Sequence, residues 1–318
     1  MYYNKIVIAG GNGYIGQLCC RYFREKTSRL IVLTRSDKTP ATSVGNIETV
    51  QWDGRSATGR WTAALEGADL LINLCGKNVN CRYTSENCAV ILSSRIQSTA
   101  ALGEAIRALE CPPAVWINAS SATIYRHAED GPQDEHSGAV GYGFSVDVVR
   151  AWEKTFFDSN TPRTRKIALR MGIVLGRADG AFRKWLQLVR YGLGGRQGTG
   201  QQMISWIHEW DVMRAVEWLL HQPEASGIYN FTAPEAVSNC QFMKLLSESY
   251  GTLFSLPCPQ WLLEAAACLA DTEAELILKS RWVRPARLLE EGFQFHYGTA
   301  KAAIDDLLAV RPLAAAYA

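Results

Sequence analysis

Short apolar runs alternate with stretches of helical spacing through the first half of the chain. Ile6-Val7-Ile8-Ala9 has no polar interruption, which suits a strand buried on both faces of a sheet. A helix is expected from Ile15 to Glu25 and a second strand from Leu30 to Thr34. Ile47 to Trp52 reads as a third strand, Trp61 to Leu65 as a short helix, and Asp69 to Leu74 as a fourth strand ending at Cys75-Gly76. Helical spacing then runs from about Ser85 to Leu109, Pro112-Pro113 stops it, and Ala114 to Ala119 forms a fifth strand. With a helix around Ser145 to Phe157 and a sixth strand from Arg165 to Met171, the alternation predicts an α/β fold with a doubly wound parallel sheet. Right-handed crossovers place the C-terminal ends of such strands along one edge.

Beyond Val174 the alternation loosens. The glycine-dense stretch from Gly192 to Gly200 leads into a helix from Val212 to His221 and a strand from Ile228 to Phe231. From Ser238 the pattern is mainly helical, and the segment from Ala286 predicts a turn, a short strand and a terminal helix.

The first strand runs straight into Gly10, Gly13 and Gly16, which open the first helix. Glycines in that context let backbone approach a pyrophosphate at a helix N-terminus, so the pattern points to a dinucleotide. At the end of the second strand, where a carboxylate would hold the ribose of NAD, stands Arg35. Its fork of donors suits a phosphate, which favours NADP(H), although a solvated arginine at a strand end is the plain alternative. Residues 1–175 are therefore expected to form the cofactor-binding domain, and 176–318 a smaller, substrate-side region that can share strands with the main sheet.

Composition narrows the partners. With 318 residues and 47% hydrophobic content there is material for a large core. A net charge of +2, from 33 basic and 31 acidic residues, gives no footprint for nucleic acid or an anionic membrane, so a small-molecule substrate is expected. The nine cysteines contain no CxxC pair and suit reduced thiols in a cytoplasmic protein. The first strand starts almost at once, so no signal or transit peptide is expected. The apolar stretch from Trp261 to Leu278 carries Glu264, Asp271, Glu273 and Glu275, which argues against a membrane span.

Taken in order, VLTRS, LINLCG, ILSSRIQST, SSATIY, AWE, LRMGIVLGRADGA, RYGLGGRQGTGQQMISWIHEWD, YNFTAPEAVSN and RPARLLEEGFQF resemble the extended short-chain dehydrogenase/reductase superfamily. Within it the chain is most similar to the atypical "epimerase family" proteins that end in a small domain of unknown function. The resemblance implies a Rossmann sheet and a monomer or homodimer. It also implies that Gly10, Gly13, Tyr14, Ile15 and Gly16 hold the pyrophosphate, Thr34 and Arg35 the adenosine phosphate, and Leu74, Cys75 and Gly76 the middle of the cofactor. Arg95 and Val174 match further positions near it.

By the same resemblance Ser121 orients a substrate oxygen and Tyr142 exchanges its proton, with Val146 at the place of the lysine in Tyr-x-x-x-Lys. Loss of that ammonium matters, because it lowers the tyrosine pKa and binds the nicotinamide ribose. Arg150, one turn beyond Val146, and Lys77 are candidate replacements, each with a solvated side chain as the alternative. Tyr125 is a second phenol near Ser121. The glycine-dense stretch lacks a phosphate-loop pattern and is expected to wall the substrate pocket, His208 to be packed, and metal to play no part. Two functions stay open: an NADP(H)-dependent oxidoreductase or epimerase for a small carbonyl, alcohol or sugar-like compound, and a non-enzymatic NADP(H)-binding sensor or scaffold.

Overall fold

In the computed structural model, which describes residues 2–35, 45–252, 254–263, 273 and 278–309, the side-chain alternation along the first strand decides the layering. Ser36 and Asp37 lie outside the described residues, as do Glu264, Asp271 and Glu275 of the late apolar stretch. Six strands of the main sheet come from the first part of the chain: β1 (Tyr3–Ala9), β2 (Thr27–Thr34), β3 (Ile47–Gln51), β4 (Leu70–Asn73), β5 (Val115–Ser121) and β6 (Arg165–Met171). Three helices cross between them: α1 (Tyr14–Phe23), α2 (Ser85–Ala108) and α3 (Phe144–Asp158). Ile6 and Ile8 of β1 point to one face, where they pack with Leu18 and Phe23 of α1 and with Val212, Val216 and Leu219 of the helix Glu209–Leu220. Val7 and Ala9 point to the other, against Ala101, Leu102, Ala105 and Ile106 of α2 and Phe156 of α3. A strand with helices on both sides needs apolar residues at every position, which is what the run from Ile6 to Ala9 provides.

The sheet has seven parallel strands in the order Gly227–Phe231, β6, β5, β4, β1, β2, β3. Order reverses at β1, which pairs with β2 on one side and β4 on the other. A crevice forms outside the carboxyl ends of strands at such a reversal. Gly227–Phe231 reaches this sheet from beyond residue 176, so the later part of the chain shares a strand with the first.

Among the departures from the predicted elements, two concern a helix and the closing segment. The pattern did not predict a helix over Ala181–Arg190, yet Phe182, Trp185 and Val189 line one face and are buried with Phe242 and Ile304. The short strand expected in the closing segment does not form. Backbone N–H groups of His296 and Tyr297 donate instead to the Asp211 carboxylate, at 2.9 and 2.8 Å, which leaves no ladder to build.

The glycine-dense stretch is also not a pocket wall. Its backbone pairs with the segment that follows the helix Asn239–Tyr250: Gly195 N–H donates to the Leu256 carbonyl and Cys258 N–H to that of Arg196. None of its residues lines either of the two cavities at the strand ends. Among the described residues no helix is long and apolar enough to cross a membrane.

Candidate functional site

A cavity of about 380 Å³ opens at the carboxyl ends of β1, β4 and β5, where the strand order reverses. The glycine turn forms its floor because no side chain fits there. At Gly10 the backbone has φ +85°, and an added Cβ would meet Leu74 backbone at 2.9 Å. A Cβ on Gly16 would lie 2.5 Å from the Gly11 Cα and 2.6 Å from the Gly10 carbonyl oxygen. This close packing draws the start of α1 down onto the loop, so the helix N-terminus lies at the cavity. Tyr14 leans the other way. Its hydroxyl donates to the buried Glu209 carboxylate and rests over Gly176.

The wall beyond the loop comes from the turn after β4. Asn73 is fully buried; its Oδ1 accepts from Cys75 N–H at 3.1 Å, while its Nδ2 donates to Asn118 Oδ1 at 2.7 Å. Leu74, Cys75 and Gly76 are thereby held along the cavity. Burial pushes the Cys75 thiol up to about 12, so it remains protonated and is no nucleophile. Arg95 from α2 closes this side, donating through Nη1 to the carbonyls of Lys77 and Ile91 at 3.1 and 2.9 Å. Its guanidinium lies over the Trp152 ring at 5.2 Å, and burial lowers its pKa from the ordinary arginine value.

Gly10, Gly13, Tyr14, Ile15, Gly16, Leu74, Cys75, Gly76, Arg95, Val174 and Ser121 all line this one cavity. Thr34 and Arg35 stand outside its lining, at the end of β2. Thr34 Oγ1 accepts from Asn12 Nδ2 at 2.7 Å, which ties the glycine loop to the strand, and Arg35 is exposed.

The structure does not bring Tyr142 to the cavity. It precedes the N-cap Gly143 of α3, projects into solvent at 90% exposure and is absent from the lining. Because Tyr142 lies before the helix, helical spacing does not set Val146 beside it. Val146 is fully buried with Ile124, Tyr125 and Val283, away from the cavity. The face of α3 that lines the cavity carries Phe144, Ser145, Val148, Val149 and Trp152, so the i,i+4 register falls on Ser145 and Val149. No lysine occupies that face either.

The other candidates separate cleanly. Arg150 is exposed on α3. Tyr125 is buried in a polar chain, its hydroxyl accepting from Arg170 Nη1 at 2.9 Å and meeting Asn230 Oδ1 at 3.0 Å. His208 is packed: Nδ1 accepts from Trp210 N–H at 3.1 Å, and Nε2 lies 3.4 Å from Asp306 Oδ2. Lys77 does line the cavity, with Nζ donating to Asn87 Oδ1 at 2.7 Å. Among the described residues no cluster of His, Cys, Asp and Glu suits a metal ion.

Three residues of the site carry no signal in the local pattern. Tyr83, in the loop before α2, lines the cavity and packs edge-on against Phe144 at 5.1 Å. Lys279 and Arg281 line a second cavity, of about 110 Å³, that shares Ser121, Thr123, Met171 and Gly172 with the first.

Comparison with known proteins matches residues 6–231 to the model of the NAD dependent epimerase/dehydratase family and residues 258–307 to a domain of unknown function, DUF1731. An epimerase family protein of Staphylococcus aureus is 29% identical over 305 residues, covering 96% of this chain and 99% of the relative. The crystal structure of human epimerase family protein SDR39U1 (isoform 2) with NADPH superposes with a TM-score of 0.83 at 26% identity, over 95% of this chain and 98% of that one. A UDP-N-acetylglucosamine 4-epimerase from Methanobrevibacter ruminantium shares the fold, with a TM-score of 0.75 at 13% identity over 96% and 97% of the two chains.

Proposed function

Because the chain belongs to the NAD dependent epimerase/dehydratase family, we propose that it binds NADP(H) in the strand-end cavity and catalyses hydride transfer with a small carbonyl or alcohol compound. The observation that carries this reading is the position of Ser121, at the junction of the large cavity with the smaller one. A cofactor in the first and a substrate in the second would meet at that hydroxyl.

The cradle fits a dinucleotide. Gly10 and Gly16 leave room only for backbone, so pyrophosphate oxygens approach N–H groups at the start of α1. Arg35, exposed at the end of β2, would pair with a 2′-phosphate; this supports NADPH, the cofactor in the human relative's crystal structure. Bound there, NADPH supplies the hydride. Ser121 orients the substrate oxygen by hydrogen bonding, and its own Oγ is aligned by accepting from Thr123 N–H at 3.2 Å.

Reduction of a carbonyl also consumes one proton. With Tyr142 in solvent and Tyr14 bound to Glu209, Tyr83 is the remaining phenol on the cavity wall, and we assign it the proton. The Arg95 guanidinium lies within electrostatic reach of Tyr83. Gly76, where a Cβ would come within 3.1 Å of Arg95 Cζ, lets that guanidinium approach the turn.

The test begins with calorimetry, where NADPH should bind more tightly than NADH. Turnover is then measured over a panel of carbonyl compounds, with isotope exchange to reveal a hidden epimerisation. Ser121→Ala and Tyr83→Phe are expected to lower turnover by about a hundredfold or more each, the usual range for a positioned acid or base, and Tyr142→Phe to leave it unchanged. Tight NADPH binding with no turnover or exchange would instead favour the sensor reading, and full activity in Ser121→Ala would refute the assignment of that hydroxyl.

A further inference from the structure

Beyond Ser121 the small cavity changes character. Ser121, Thr123, Met171 and Gly172 line both cavities and so form their junction. Past them the walls include Ile173, Met203, Ile204 and Trp185. Several polar groups along this stretch are already bonded. Ile173 N–H donates to the Ser205 carbonyl at 2.9 Å and Met203 N–H to Ser280 Oγ at 2.9 Å. Ser205 Oγ donates to the Arg281 carbonyl at 2.7 Å and accepts from Val283 N–H at 2.7 Å. Lys279 and Arg281 also reach the lining, and each has interactions of its own. Trp185 is the largest wall and is firmly backed. It sits on the inward face of the helix Ala181–Arg190, 7% exposed, with its ring 4.8 Å from that of Phe242. Phe242 is itself fully buried, in a cluster with Val189, Leu246 and Ile304. A close-packed interior of this kind has no slack into which an indole could move.

The space measures about 110 Å³. An engineered apolar cavity of about 150 Å³ holds one benzene, so a space of this size takes roughly four carbon atoms. We propose that Trp185 sets the length limit of the substrate: the protein takes short aliphatic carbonyl compounds, with the reacting oxygen on Ser121 and an uncharged chain of about four carbons against Trp185. The inference rests on the hydride-transfer reading and specifies its substrate. Each methylene buried in the space favours binding, and the first to meet the backed ring forces an overpacked site. A hexose carried on a nucleoside diphosphate is too large for the space, and its hydroxyls would lose water without finding partners among these walls.

Binding can be read without turnover, because oxidised NADP cannot reduce a ketone. The full chain is saturated with oxidised NADP and titrated calorimetrically with methyl ethyl, methyl propyl, methyl butyl and methyl hexyl ketone. A further titrant is the keto acid in which a carboxylate replaces the terminal methyl of methyl butyl ketone. From the ethyl to the butyl compound each methylene should tighten binding about fourfold, the equivalent of about 0.8 kcal/mol. Methyl hexyl ketone should then bind about tenfold or more weakly than methyl butyl ketone, and so should the keto acid, whose charge would lose water against apolar walls. In Trp185→Ala the order of the butyl and hexyl compounds should reverse. Trp185→Phe, which keeps a ring against Phe242, should remove part of the hexyl penalty and decides the matter if the alanine variant does not fold. NADP affinity of each variant is measured alongside and should match the parent, showing an intact fold.

No binding of any ketone, or a parent that binds the hexyl compound as tightly as the butyl one, would overturn the length limit. A length preference unchanged in the variants that retain NADP binding would overturn the role of Trp185. Tighter binding of the keto acid than of methyl butyl ketone would overturn the choice of an uncharged chain. Turnover with NADPH is recorded separately, which keeps the two claims apart. Ketones that bind with the expected limit but never react would refute hydride transfer and leave the limit standing, whereas turnover of long-chain or nucleotide-linked carbonyls by the parent would refute the limit alone.

Discussion

Two glycines of one loop are expected to fail differently when given the same methyl group. In Gly16→Ala the new Cβ falls 2.5 Å from Gly11 Cα, 2.6 Å from Gly10 O and 2.7 Å from Gly11 C, all backbone atoms that cannot rotate away. The loop must shift, at a cost of about 1–3 kcal/mol typical of an overpacked site. In Gly13→Ala the nearest atom is Gly10 O at 3.6 Å, an ordinary contact, and φ of −73° suits alanine. Its small N-cap cost is offset by a less flexible unfolded chain, so the net change should stay within about 0.5 kcal/mol. Yet its methyl would stand where a pyrophosphate must reach the N–H groups of α1. Losing one such charge-assisted bond, about 1.5–3 kcal/mol, weakens NADPH about 10- to 150-fold. Urea unfolding of the cofactor-free protein and calorimetric NADPH titration separate the two effects: Gly16→Ala loses stability and affinity, Gly13→Ala affinity alone. Parent-like NADPH affinity in Gly13→Ala would refute the placement of the pyrophosphate, and a parent-like urea midpoint in Gly16→Ala would refute the tight packing of the loop.

Two further outcomes concern buried charge. Glu153 takes both Nε and Nη2 of Arg170, each at 2.8 Å, with side chains only 10% exposed, so Glu153→Ala strands a buried guanidinium and should cost about 3–5 kcal/mol in urea unfolding; a loss below about 1 kcal/mol would show that the cation finds water. His208 and then Arg177 hold the Asp306 carboxyl well below the usual carboxylate range. A depressed folded-state pKa gives stability that is present above the unfolded value, about 3.9, and is lost as pH falls toward the folded one. The stability difference between the parent and Asp306→Asn should therefore be constant near neutral pH and shrink below about pH 4; a difference that grows on acidification would contradict the sign.

Local pattern was sufficient wherever one element answers to its own residues. The run Ile6 to Ala9 has to be a strand covered on both faces, Arg165–Met171 forms where its composition places it, and Gly10 and Gly16 mark a backbone too close for side chains. These are near-neighbour constraints, written in consecutive residues. The helix Ala181–Arg190 shows a partial failure of the same kind: its apolar face was present in Phe182, Trp185 and Val189, but flanking glycines obscured it.

Which side chains meet in the site was decided elsewhere. The sequence by itself determined a parallel sheet, a dinucleotide cradle and a serine at a strand end. It did not determine which way the helix after Tyr142 faces: packing turns Val146 into the core and Ser145 and Val149 to the cavity. Nor could it join Tyr83 or Arg281 to the cavities that Ser121 lines, because those walls are built by loops and edges that only the folded sheet brings within reach. Secondary structure follows from periodicity over a few residues; a reaction site is a coincidence of distant segments, and tertiary packing alone sets where they coincide.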